Sequence, residues 1–175
     1  MNNSMGFGDR ATPEVGLASA SGLGIGGWCQ YELRDEIGRV IAEGEGKNLV
    51  VNTGIDWILD NDTNSTTLYV GLLAASPTIV AGTTITVTKA EANLSNTVRP
   101  TWVKALASQV LSNSATKAAF TFNAGDTIGG ALIATSDVKN TTSGTLIAAK
   151  SFAGNLVVAN GYTLTVQYDI TGSST

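Results

Sequence analysis

Over 175 residues, charged side chains make up only 14% and apolar ones reach 43%, a balance that buries one core and excludes the disordered, highly charged class. Ten Lys and Arg against fourteen Asp and Glu leave a formal charge of −4, so the clustered cations that grip a phosphate backbone are missing and nucleic acid is not an expected partner. The chain has no histidine and a single cysteine, Cys29, which removes imidazole triads, the common zinc sites, thiolate clusters and internal disulfides.

Twenty glycines against three prolines, in a background rich in Thr, Ser, Ala and Val, suit short strands joined by tight turns. No run of eighteen apolar residues predicts a membrane span, and the basic start of a signal peptide is missing, so synthesis in a cytoplasm is expected. Asp, Glu, Lys or Tyr can still catalyse, but no catalytic residue, cofactor or metal ligand stands out, and a non-enzyme is expected.

Residues 1–27 are small, glycine-rich and nearly uncharged, with no apolar period; they read as an extended N-terminal arm before a domain over 28–175. The backbone groups of such an arm have no local ladder. It is therefore expected to lie on a neighbouring subunit as an added strand or strap, held by Phe7, Val15, Leu17, Leu23 and Ile25. Trp28, Gln30 and Glu32 then alternate with Cys29, Tyr31 and Leu33, and Asp35-Glu36-Ile37-Gly38 turns the chain into Val40-Ile41, which predicts a β-hairpin. Asn48–Val51 reads as a short strand leading to a helix over Thr53–Asp60. There Thr53 caps, Asp56 answers it, and Ile55, Ile58 and Leu59 share a face. Further strands are predicted over Leu68–Leu73, Thr84–Thr88, Arg99–Leu106, Lys117–Phe122, Ile128–Thr135, Thr145–Ala149 and Tyr162–Ile170. Their spacing predicts an all-β, two-sheet sandwich of jelly-roll or immunoglobulin-like kind.

Several short patterns mimic chemistry. Gly22-Leu23-Gly24-Ile25-Gly26-Gly27 spells GxGxxG, but an unpatterned arm precedes it and a strand follows, so it reads as a hinge. Ser114-Ala115-Thr116-Lys117 spells SxxK where a loop enters a strand, which denies nucleophile and lysine a common helical face. Asp60, Asp62 and Asn64 begin like a calcium loop, yet Ser65 and Gly71 stand where the glycine and closing glutamate belong. Glu43 and Glu45, with Glu36 across the hairpin, read as a solvated edge. Asn61-Asp62-Thr63 and Asn64-Ser65-Thr66 are formal glycosylation triplets without meaning in a cytoplasm. Trp28, Trp57 and Trp102 fall one to an element, a distribution expected of core or interface packing.

The segments Asn48-Leu49-Val50-Val51-Asn52-Thr53-Gly54-Ile55-Asp56-Trp57-Ile58-Leu59, Leu68-Tyr69-Val70-Gly71-Leu72-Leu73, Val98-Arg99-Pro100, Ala119-Phe120-Thr121-Phe122 and Ile128-Gly129-Gly130-Ala131, in that order, resemble a family of small structural proteins of tailed-bacteriophage virions. The resemblance spans roughly residues 27–170, and the long glycine-rich arm departs from it. It implies a virion subunit made in the host cytoplasm, a capsid decoration or cement protein first and a tail or neck subunit second. The expected partners are major capsid protein or other virion subunits, together with further copies of the chain, a trimer at local three-folds being favoured. A carbohydrate-binding module is the alternative of a different class, and it would need tryptophans exposed on one face.

Overall fold

The computed structural model describes residues 23–174, which form two antiparallel sheets enclosing one core. The first sheet holds β1 (Leu23–Arg34), β2 (Val40–Lys47), β5 (Ala105–Ala107), β6 (Val110–Ser112), β7 (Ala118–Thr121) and β10 (Thr163–Ser174), ordered β2-β1-β10-β6-β5 with β7 also on β10. The second runs β3 (Leu49–Val50), β9 (Leu146–Val158), β8 (Asp126–Ala134), β4 (Tyr69–Ala74). The protein is an all-β two-sheet sandwich with one helix, α1 (Asn52–Asp60).

The first and last described strands pair in the middle of the first sheet. β1 and β10 pair in unbroken register from Leu23 opposite Ser174 to Arg34 opposite Thr163. Period-2 alternation then sends Cys29, Tyr31 and Leu33 with Leu164, Val166, Tyr168 and Ile170 inward, while Gln30, Glu32, Thr165 and Gln167 face out. Along its other side β10 changes neighbour, from β7 at Thr163–Val166 to β6 at Asp169–Thr171. The buried Asn113 fills that gap. Its Oδ1 accepts from the Tyr168 N–H at 2.7 Å and its Nδ2 donates to the Val166 carbonyl at 3.2 Å, so no backbone group is orphaned where the ladder breaks.

In the second sheet the central β8–β9 hairpin carries a wide bulge, with Leu156 opposite Ile128 but Ser151 opposite Gly130. Residues 152–155 loop out. The bulge turns Phe152 inward, where its ring stacks on Tyr31 of the opposite sheet at 4.0 Å. Gly129 lies opposite the bulge, and a Cβ there would stand 2.4 Å from the Ala74 carbonyl.

The structure corrects several expectations. Leu23–Gly27, read from the sequence as the end of the arm and a hinge, lie in β1 and pair with β10. Val51 occupies the helix N-cap. Thr53 donates instead to the Leu146 carbonyl at 3.0 Å and tethers the helix to β9. Leu59 is 68% exposed, because the helix approaches β9 through Gly54, and Leu59 lies about 100° round from Ile58 on the packed face. Thr84–Thr88 forms turns, since Lys89 Nζ donates to the carbonyls of Ile85 and Val87 and takes acceptors a ladder would have used. From Arg99 to Lys104 the chain makes only an isolated bridge at Thr101, and regular strand starts at Ala105. β9 runs on to Val158, nine residues past the predicted Ala149, through the bulge.

Candidate functional site

The outward face of the first sheet presents three rows of side chains. Glu43, Glu32 and Thr165 form one, Glu45, Gln30 and Gln167 the next, and Lys47, Trp28, Asp169, Ser112 and Ala105 the third. A groove of about 500 Å³ lies over the first two, lined by Gln30, Glu32, Glu43, Glu45 and Lys117. Glu45 accepts from Gln30 Nε2 at 2.9 Å and from Trp28 Nε1 at 3.4 Å, and Glu32 pairs with Arg34 at 2.7 Å.

At the far edge of the same face, Val103, Ala105, Ala107, Val110 and Ala115 line a trough of about 460 Å³ with Gln167 and Asp169 at its polar side. The β5–β6 hairpin forms its rim. Ser108 and Gln109 turn that hairpin with φ of 47° and 69°, the double left-handed geometry of a two-residue loop.

The predicted chemical patterns separate in space or are spent locally. Ser114 and Lys117 sit in an exposed turn, and Ser114 is bound through its N–H to Ser112 Oγ at 3.1 Å. Asp62 accepts from the N–H of Asn64 at 3.0 Å and from Ser65 Oγ at 2.8 Å. The Ser65 side chain and the backbone N–H groups of Ser65 and Asn64 hold its carboxyl below the usual range. Glu36 lies in the hairpin turn near Gly161, away from Glu43 and Glu45. Cys29 is buried, and desolvation pushes its thiol up to about 12 despite the nearby Tyr168, which leaves no nucleophile at neutral pH.

The tryptophans divide. Trp102 is fully buried with Nε1 donating to the Tyr168 carbonyl at 3.1 Å, and Trp57 packs on the core from α1. Only Trp28 reaches the outer face. Of the arm anchors, Phe7, Val15 and Leu17 lie outside the described residues. Leu23 opens β1. Ile25 is partly buried against the sandwich's own core.

Sequence reasoning missed a buried ion pair beside β4, the edge strand of the second sheet. Arg99 donates to Glu91 through Nε at 2.8 Å and Nη2 at 3.1 Å, and to the Ser136 carbonyl through Nη1 at 3.0 Å, with both charged side chains at 0% exposure. Glu91 also accepts from the N–H of Leu72 at 3.1 Å and of Asn140 at 2.6 Å. Gly71 exists to admit this pair, because a Cβ there would stand 2.4 Å from Glu91 Oε1. Arg99 reads in the sequence as the start of a predicted strand and as part of the resemblance, and Glu91 carries no spacing signal at all.

No protein-family model, no curated protein and no solved structure matches the chain.

Proposed function

We propose that this chain is a non-enzymatic structural subunit of a tailed-bacteriophage virion, acting as a decoration or cement protein across contacts between major capsid subunits. The observation that carries the proposal is the role of the residues on which the phage resemblance rests. Gly54 meets the Ile147 carbonyl, Gly71 admits the Arg99–Glu91 pair, and Gly130 lies against the Lys150 carbonyl; a Cβ at each would fall within 2.4 Å of its neighbour. Close backbone approaches of this kind support reading these segments as determinants of shape. A rigid sandwich preceded by residues 1–22 suits a subunit that bridges neighbours through many small contacts.

Purified virions test this. The chain is expected in a copy number that scales with the capsid lattice, and particles assembled without it are expected to lose DNA at lower temperature until the protein is added back. A copy number fixed by the neck or tail tip would move the chain to that position. Absence from virions would end the reading.

Trp28 favours one second reading, a carbohydrate-binding face, since it stands outward beside Gln30, Lys47 and Asp169. That reading expects polysaccharide binding to be lost in Trp28→Ala, and a wild-type chain that binds no glycan removes it.

A further inference from the structure

Most sheet edges among the described residues are closed. Pro100 and Trp102, with Thr88 and Ala90, bond along β4, and Ser95 and Asn96 bond Thr121 and Ala119 along β7. β2 carries Glu43, Glu45 and Lys47, charges that discourage pairing, and the two residues of β3 lead straight into α1. Two uncharged stretches stay open, Leu156–Val158 of β9 and the whole of β5, and only β5 borders the apolar trough.

The open groups on β5 can be named. In a hairpin with a two-residue loop the flanking residues, Ala107 and Val110, exchange both hydrogen bonds, so the N–H and C=O of Leu106 point away from β6. Neither has a partner among the described residues, and the Leu106 side chain is 59% exposed. This is an acceptor edge for a strand.

We infer that β5 and its trough receive residues 15–19 of a second copy of this chain as an added antiparallel strand. Pro13 has no N–H and stops a ladder upstream, whereas Val15-Gly16-Leu17-Ala18-Ser19 alternates large with small side chains. Val15 and Leu17 then enter the trough over Val103, Ala105 and Ala107, and Gly16 and Ala18 pass beside Leu106.

Chain length makes the exchange intermolecular. A strand beyond β5 lies four spacings from β1, about 19 Å at roughly 4.8 Å each, and only residues 20–22 separate Ser19 from Leu23. Those few steps reach about 14 Å at most. An antiparallel strand would also finish at the wrong end of the sheet, because it runs in the same direction as β1. Since each copy gives one arm and offers one edge, the exchange closes either as a reciprocal dimer or as a head-to-tail ring such as a trimer.

The inference deepens the arm's part in the proposed function, and its test uses purified protein alone, so a failure here is separate from a failure to bind particles. Light scattering on the full chain is expected to give a multiple of 17.9 kDa. Leu106→Pro, which removes the outward N–H and leaves the β6 pairing intact, is expected to give the monomer mass with an unchanged circular dichroism spectrum. Removal of residues 1–22, which spares every described core residue, is expected to do the same. A short bismaleimide is expected to link a Leu17→Cys chain to a Val103→Cys chain when the two are mixed. A monomeric full chain, an oligomer that survives Leu106→Pro, or cross-linking confined to a doubly substituted single chain would each overturn the inference.

Discussion

Replacing Arg99 by methionine keeps an unbranched stem without the guanidinium and removes three donated hydrogen bonds, two to Glu91 and one to the Ser136 carbonyl. Glu91 is left as a carboxylate of 0% exposure with only the N–H groups of Leu72 and Asn140 as donors. Breaking a buried pair by removing one partner costs about 3–5 kcal/mol, a large part of the ~5–15 kcal/mol that holds a domain of this size together. With a urea slope of ~2 kcal/mol/M, the unfolding midpoint should fall by roughly 1.5–2.5 M. Glu91→Met alone strands the guanidinium and should cost about as much. In the double variant both charges are gone, and the main residual penalty is the unmet N–H of Leu72 and of Asn140, about 1–3 kcal/mol for each that stays dry. The double variant should therefore lie well above the sum of the singles. Urea melts followed by circular dichroism at fixed pH measure all four corners of this cycle. A midpoint for Arg99→Met within about 0.5 M of wild type, or strictly additive losses, would refute the claim that the two charges hold one another as a buried pair beside β4.

Gly54→Ala places a Cβ 2.0 Å from the Ile147 carbonyl, so α1 must lift off β9; a thermal scan should show a loss of about 1–3 kcal/mol, that of a core overpacking. Native Cys29 should resist a disulfide reagent at pH 8 and react fully in urea, because burial holds its thiol at about 12; rapid reaction of folded protein would contradict its place in the core. Asp62 has a carboxyl depressed below its ordinary 3.8, so its turn is held above that value and is lost as pH falls through the lower folded one. An amide titration of Asn64 and Ser65 should show this, with a midpoint at or above 3.8 as the disproof.

The alternation of Trp28 to Leu33 and of Thr163 to Tyr168 is enough to place two strands and their buried faces, because period 2 is written in the residues themselves. The Asp35–Gly38 turn and the sandwich class are legible for the same reason, since turn residues and β-branched runs act locally. What no local pattern carries is pairing at long range. That β1 and β10 pair within one sheet, that Glu91 reaches Arg99, and that Asn113 patches a ladder break opposite Tyr168 all depend on which strands become neighbours. The 110–112 strand escaped notice because Ser108-Gln109 adopts a left-handed turn without glycine or asparagine to announce it. The open edge at Leu106 has the same origin. Whether a strand is central or exposed is decided by the partners the tertiary structure assigns, and Ala105-Leu106-Ala107 reads alike in either position.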